Sequence, residues 1–337
     1  MTNAPTQRTL EFTPLTGTGL QTSELQFGTW RFGRVNEAGE TEIDESRAHA
    51  LLDAYADAGG RYIDTADVYG GGSCERWIGE WLAERDRERY TIASKIFWQI
   101  RDGDPNSRGT NRKNVRDRID ALLERLDTDY VDVLYIHRWD DQTDARELMK
   151  TLDGLVESGR VHYLGASTHR PNAWKVARAN EIARANGWEP FTVLQPRYNL
   201  VDREIEGDYL AFARQQGLAV CPWSPLGQGF LTGKYDRDAD VPADSKVAAS
   251  RRFRESYLTP ENFDVHEELD AVAAAVDATP AQVALAWLCH RDGVTAPVVG
   301  ARTVEQLHEN LAAASIDLSP AQVDRLTAAK AGPYDGL

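Results

Sequence analysis

Tyr62-Ile63-Asp64-Thr65 is a short run rich in strand-forming residues that closes on an acid. A loop follows, then a helical pattern over Glu75–Arg85, then a second run, Thr91-Ile92-Ala93-Ser94-Lys95, that closes on an amine. Strand, helix and strand in this order mean two parallel strands joined by a crossover. Outward from this unit the same pattern recurs in both directions. Strands are expected at Leu25–Thr29, Tyr62–Thr65, Thr91–Lys95, Val131–His137, Val161–Ser167, Thr192–Gln195, Ala219–Trp223 and Ala296–Gly300. Helices are expected at Glu45–Ala58, Glu75–Arg85, Asn111–Leu126, Ala145–Ser158, Pro171–Asn186, Glu204–Gln216, Pro280–His290 and Val304–Ala314.

Eight alternating units in 337 residues predict an α/β fold, a closed (β/α)8 TIM barrel. No Pro/Ser-rich linker divides the chain, so residues 1–337 read as a single domain. Three segments stand outside the repeat. Arg8–Phe12 and Gly19–Ser23 read as an N-terminal β-hairpin placed to plug the bottom of the barrel. Gly227–Glu261 reads as a long connection, and a loop of that length inside a compact domain is usually functional. Ser319-Pro320-Ala321-Gln322 caps an extra C-terminal helix, with proline at its first position.

Composition narrows the function classes. Apolar residues make up 42% and charged residues 27%, as in a soluble globular protein. No apolar run reaches membrane-spanning length, and Met1–Leu10 lacks the apolar core of a secretory signal. Cys74, Cys221 and Cys289 form no CxxC pair, which argues against a disulfide framework and for a reducing, cytoplasmic setting. The histidines form no His-x-His or His-Glu-x-x-His cluster, so no metal site is expected. A net charge of −15 repels nucleic-acid phosphates. Nothing in the pattern fixes the oligomeric state. Lysines are few beside arginines, and Asp and Glu abound, as on a salt-adapted, halophilic surface; an ordinary acidic protein from a GC-rich genome is the alternative. Salt adaptation predicts that stability rises with KCl concentration in thermal melts; full stability without salt would exclude it.

In a barrel of this type the active site lies at the C-terminal ends of the strands. Those ends carry, in order, Gly28-Thr29-Trp30, Asp64 with Tyr69 close behind, Lys95, His137, Ser167-Thr168, Gln195, Trp223-Ser224 and Gly300-Ala301-Arg302. Singly, Asp64 can cap a turn, Tyr69 pack in the core, Lys95 reach to solvent and His137 hydrogen-bond at the rim. Together, at successive strand ends, they point to a site. Lys95 ends an apolar strand, and a buried ammonium needs an anionic partner, for which Asp64 on the neighbouring strand is placed. A cation beside Tyr69 favours the phenolate and lowers its pKa, which makes a proton donor near neutral pH. His137 then acts at the same substrate oxygen.

Such a donor suits reduction of a carbonyl if something supplies hydride. Trp223 offers a flat face to a nicotinamide ring, and Ser167 and Gln195 can hydrogen-bond a carboxamide. The glycine-rich loop Ser224–Lys234, with Leu226 and Gly227 in it, can wrap a pyrophosphate through backbone N–H groups and Lys234. Arg302 can fork onto a ribose 2′-phosphate. No GxGxxG follows a first strand, so this is no Rossmann site. Trp30, Trp98 and Trp139 lie just past strand ends, where they wall a pocket for a small apolar or aromatic carbonyl or else pack the loops together.

At this point the chain resembles the aldo-keto reductase superfamily over nearly its whole length. Gly60-Arg61-Tyr62-Ile63-Asp64-Thr65-Ala66-Asp67-Val68-Tyr69-Gly70 is similar to that family's first signature, and Tyr135-Ile136-His137-Arg138-Trp139-Asp140 to its fourth-strand motif. The resemblance implies a catalytic tetrad of Asp64, Tyr69, Lys95 and His137. Tyr69 would be the general acid, Lys95 paired with Asp64 would lower its pKa, and His137 would orient the carbonyl. Gly159–Ser167, Leu194–Leu200 and Trp223-Ser224-Pro225-Leu226 are similar to the family's cofactor half, with Thr168 where many relatives carry Asn. The resemblance implies NADPH rather than NADH, held by Thr29, Trp30, Ser167, Gln195, Trp223, Ser224, Leu226, Gly227, Lys234, Gly300, Arg302, Gln306, Glu309 and Asn310. Arg302 and Gln306 would lie near the 2′-phosphate, Asn310 near the adenine, and Arg251 would close over the pyrophosphate.

The branch it resembles contains bacterial and archaeal reductases and the β subunits of voltage-gated potassium channels. One implied function is therefore NADPH-dependent reduction of a small aldehyde or ketone to an alcohol, with hydride from the nicotinamide and a proton from Tyr69. The other is an NADPH-binding regulatory subunit with slow turnover. A Schiff-base aldolase built on Lys95 is a third reading, opposed by the Asp64 partner that would hold the amine protonated.

Overall fold

Successive residues of a strand face opposite sides of the sheet, and burial separates two apolar sets accordingly in the computed structural model. It describes residues 9–36, 38–167, 173–237 and 250–333. Eight parallel strands form the sheet: β3 (Gln26–Gly28), β4 (Tyr62–Asp64), β5 (Thr91–Ile96), β6 (Val131–Ile136), β7 (Val161–Ala166), β8 (Phe191–Leu194), β9 (Ala219–Val220) and β10 (Val298–Val299). Their order is β10-β3-β4-β5-β6-β7-β8-β9. The two edges meet where Thr295 N donates to Val220 O and Val298 N to Pro222 O, both at 2.8 Å. The result is the expected (β/α)8 barrel.

Tyr62, Ala93, Val133, Tyr135, Val193, Ala219, Cys221 and Val298 point inward and form one cluster. Their strand neighbours Ile63, Ile92, Leu134, Leu194, Val220 and Val299 point outward and pack under the helices. The N-terminal hairpin, β1 (Phe12–Pro14) with β2 (Gln21–Ser23), closes the bottom as expected. Leu15 from its turn is buried in the inward cluster, and Tyr163 Oη donates to Thr18 O at 2.8 Å. The first hairpin strand starts later than Arg8–Phe12 suggests, and Arg8 lies outside the described residues, as do Thr168 and Pro171.

Among the described residues the helices are α1 (Glu45–Asp57), α2 (Ser73–Leu82), α3 (Arg112–Leu126), α4 (Ala145–Glu157), α5 (Ala173–Ala185), α6 (Asp208–Gln216), α7 (Arg251–Tyr257), α8 (Pro260–Ala275), α9 (Pro280–Cys289), α10 (Val304–Leu311) and α11 (Pro320–Ala328). Each of α1, α3, α4, α9, α10 and α11 starts at a side-chain cap, as such sequences dictate. The span Glu204–Gln216 is not one helix: a 3-10 turn over Glu204–Glu206 precedes α6, with Gly207 between them. The connection Gly227–Glu261 is not simply a loop either. It holds a 3-10 segment at Gly227–Thr232 and α7, and α8 begins inside it. Helix α8 buries Phe263, Val265, Leu269 and Val272 at helical spacing, and its Thr259-Pro260 start repeats the Thr279-Pro280 start of α9. No single helix among the described residues is long and apolar enough to cross a membrane.

The barrel interior is tightly filled just below the rim. A Cβ on Gly165 would stand 2.3 Å from Tyr135 Cδ1, and Tyr135 Oη is 3.2 Å from Tyr62 Oη. Gly165→Ala is therefore expected to destabilise the fold by about 1–3 kcal/mol through overpacking. A urea unfolding midpoint equal to wild type would contradict this packing.

Candidate active site

The same two-residue period that fills the barrel also builds the site. One step beyond each inward core residue stands an expected site residue: Asp64 after Tyr62, Lys95 after Ala93, His137 after Tyr135, Gln195 after Val193 and Trp223 after Cys221. Each side chain thus emerges at the C-terminal mouth. The mouth's backbone is pinned by His137 N donating to Ile96 O at 3.0 Å, Ser167 N to Ile136 O at 2.8 Å and Gln195 N to Ala166 O at 3.0 Å.

At the centre, Lys95 Nζ donates to Asp64 Oδ2 at 2.5 Å and to Thr65 O at 2.8 Å. Side-chain exposure is 1% for Lys95 and 5% for Asp64, so this is a buried ion pair. Asp64 Oδ1 accepts from Gln195 Nε2 at 2.7 Å, which satisfies the second carboxylate oxygen. The ammonium lies 5.2 Å from the centre of the Tyr69 ring. The Tyr69 and His137 rings meet edge to face at 5.8 Å, and Trp98 stands edge to face with His137 at 6.2 Å. Acid, amine, phenol and imidazole therefore converge as expected.

The electrostatics differ from the expectation in one respect. Burial, with Asp64, Cys74 and Asp67 around it, raises the Tyr69 phenol well above 10.0. Burial and the neighbouring acids outweigh the lowering expected from Lys95. Burial also lowers the Lys95 ammonium, against the pull of Asp64. In this state Tyr69 is a held proton, not a phenolate.

The expected cofactor residues fall into groups. Ser167, Gln195 and Trp223 stand on the mouth, and the donor end of Gln195 is committed to Asp64, so its carbonyl oxygen is the end available to a carboxamide. Thr29 is fully buried, with its hydroxyl donating to Asp64 O at 2.9 Å. It braces the strand end. In the glycine-rich loop, Ser224 and Gln228 are non-glycine residues at φ 57° and 56°, beside Gly227 and Gly229 at 56° and 98°. Left-handed non-glycine residues are strained and are retained where the surrounding structure or function demands it.

Three of the loop's amides are used within the loop itself. Gly227 N bonds Ser224 O, Gln228 N bonds Ser224 Oγ and Gly229 N bonds Leu226 O. Leu226 packs against the core, and Lys234 is the cation this loop exposes. At the other end, Gly300 O accepts from the buried Asn310 Nδ2 at 3.2 Å, and Arg302 N donates to Gln306 Oε1 at 3.0 Å. The Arg302, Gln306 and Glu309 side chains are exposed. Arg251 opens α7, its side chain is 90% exposed and it pairs with Glu255. Carboxamide partners on the mouth, with cations at both ends, fit a nicotinamide dinucleotide.

Of the rim tryptophans, Trp98 stands at the site. Trp139 packs against the core, and Trp30, 41% exposed, lies under Arg34 at 4.0 Å. Two supporting groups escaped the sequence reading. Cys74 Sγ lies 3.1 Å from both Thr29 Oγ1 and Thr65 Oγ1, beneath the tetrad. Arg118 on α3, 1% exposed, pairs with Asp67 and donates to Trp98 O at 2.8 Å, tying the Tyr69 loop to the Trp98 loop. The signal for Arg118 was its place in the apolar stripe Val115, Ile119, Leu122, where a solvated arginine has no business.

Residues 24–331 match the model of the Aldo/keto reductase family. Similar proteins include a norsolorinic acid reductase of Aspergillus flavus, 33% identical over 94% of this chain and 79% of its own. A norsolorinic acid reductase of Emericella nidulans is 35% identical over 90% of this chain and 77% of its own. An aryl-alcohol dehydrogenase of Pestalotiopsis microspora is 35% identical over 91% of this chain and 78% of its own. The chain belongs to the aldo/keto reductase family of oxidoreductases.

Proposed function

We propose that this protein reduces aldehydes or ketones to alcohols with NADPH, and that Tyr69 is the proton donor. The observation that carries the reading is the convergence of the buried Lys95–Asp64 pair, Tyr69 and His137 on one open mouth. NADPH, when bound, supplies a hydride to the carbonyl carbon. The oxygen then gains negative charge, and Tyr69 holds the proton it needs. The Lys95 ammonium stabilises the phenolate left behind, because Asp64 fixes it beside the ring. His137, edge-on to Tyr69, directs the carbonyl oxygen to the phenol. Ser167 and Gln195 would hold the carboxamide, Trp223 would stack on the nicotinamide, and Lys234, Arg302, Gln306 and Asn310 would take the phosphate and adenine end.

The substrate class we favour is a small aromatic carbonyl. Trp98 and His137 offer it ring edges and faces, and relatives are named for norsolorinic acid and for aryl alcohols. Steady-state rates with NADPH and NADH on matched aromatic and aliphatic aldehydes test both parts. Trp98→Ala is expected to raise KM for aromatic aldehydes about tenfold, with aliphatic ones little changed. Equal effects on both classes would remove Trp98 from the pocket. Faster turnover with NADH than with NADPH would reverse the cofactor assignment.

A further inference from the structure

Beside the mouth, two guanidiniums share one carboxylate and a third ties its backbone to a neighbouring segment. Arg31 and Arg34, in the connection between β3 and α1, both pair with Glu42, Arg34 at 2.9 Å. Arg47, in the first turn of α1, donates to Glu42 O at 3.3 Å and to Arg302 O at 3.0 Å. That second bond fastens this segment to the start of α10, where Gln306 already holds Arg302 N. Asp44, the next acid along, is committed to capping α1 through Arg47 N at 3.0 Å. A protein of net charge −15 has thus set two arginines on one carboxylate, with Arg47 linking the main chain of that residue to the main chain of Arg302.

Arg31 is the most confined of these cations, with 22% side-chain exposure against 36% for Arg34. Burial and then the positive charge of Arg302 lower its guanidinium, so the two cations feel one another directly. Like charges held together at this proximity are relieved by an anion between them. A phosphomonoester, with about two charges and three acceptor oxygens, matches several converging planar donors better than a carboxylate does. A polyanion is disfavoured by the acidic remainder of the surface.

We infer that Arg31, braced by Glu42 and joined by Arg47, completes with Arg302 a phosphomonoester site for the ribose 2′-phosphate, and that Arg31 sets the preference for NADP(H) over NAD(H). This rests on the NADPH reading above but names a residue outside the strand-end motifs that support it. Glu42 has a definite part here. It neutralises enough charge for the arginines to stay folded together, and it holds Arg31 in place before the ligand arrives.

Isothermal titration of the full chain with 2′,5′-ADP, 5′-ADP and inorganic phosphate tests the inference without any turnover. Arg31→Gln is expected to weaken 2′,5′-ADP about tenfold or more, the worth of a charge-assisted hydrogen bond, with 5′-ADP changed less than about twofold. Arg31→Lys keeps a cation opposite Glu42 but loses the planar fork, and about threefold is expected. It carries the test if Arg31→Gln does not fold. Arg325→Gln, a charge removed on distant α11, is expected to leave both affinities unchanged. If Arg302→Gln abolishes the preference for 2′,5′-ADP while the Arg31 variants do not, the inference falls and the NADPH reading stands. If wild type shows no preference for 2′,5′-ADP over 5′-ADP, the NADPH reading falls and takes the inference with it. Inorganic phosphate bound as tightly as 2′,5′-ADP, and lost in Arg31→Gln, would make this a free-phosphate site and also overturn it.

Discussion

Tyr69→Phe is expected to lower kcat for aldehyde reduction by about two to four orders of magnitude while dinucleotide affinity stays near that of wild type. The change removes one hydroxyl and leaves the ring between its neighbours: Lys95 Nζ at 5.2 Å from the ring centre and the His137 ring at 5.8 Å. The fold therefore loses little, and the loss falls on the step that delivers a proton. Because burial raises the phenol above 10.0, the acid is protonated throughout the neutral range. Reduction is expected to run without a Tyr69 limb until alkaline pH, where ionisation removes the donor. A steep fall of kcat/KM through neutral pH that disappears in Tyr69→Phe would mean that bound ligands lower the phenol far more than the free protein does. A variant retaining more than about a tenth of wild-type kcat would leave the proton to another group.

Lys95→Met is expected to be the most damaging single change to fold and activity together. It strands a carboxylate whose side chain is 5% exposed, leaving it the hydrogen bond from Gln195 Nε2 at 2.7 Å. Breaking a buried pair from one side costs about 3–5 kcal/mol, because the surviving charge stays desolvated. The double change Lys95→Met with Asp64→Leu removes both charges, and is expected to recover much of the stability with none of the activity. Chemical unfolding of the two single variants and the double variant separates the roles. Additive destabilisation would show that the pair is not coupled, and recovery of turnover in the double variant would show that the ammonium is not needed for chemistry.

How far the site was legible follows from one regularity. The barrel alternates inward and outward residues, so a polar residue two places past an inward apolar one must surface at the mouth. Asp64, Lys95, His137, Gln195 and Trp223 obey that rule, and their convergence is readable from strand ends alone. What alternation does not encode stayed hidden. Thr29 is one residue out of phase with inward-facing Gly28, and its hydroxyl is spent on Asp64 O, a bond that alternation does not announce. The glycine-rich loop advertises free amides, but left-handed residues in it close turns that use those of Gly227, Gln228 and Gly229. The direction of the Tyr69 shift depends on a competition between burial and a cation already occupied by Asp64, which residue identity cannot rank. Helix α8 was legible in principle from Thr259-Pro260 and its buried stripe, but the polar Gly227–Glu261 stretch before it masked the start. Arg118 needed the opposite inference, that a charge on a buried stripe implies a buried partner, here Asp67.

The most direct test of the whole account is to mix the wild-type protein with NADPH and an aromatic aldehyde, and to follow NADPH absorbance while quantifying the alcohol formed. The account predicts one alcohol made for each NADPH consumed, with turnover lost in Tyr69→Phe. Tight NADPH binding without alcohol from any aldehyde or ketone tried would contradict it.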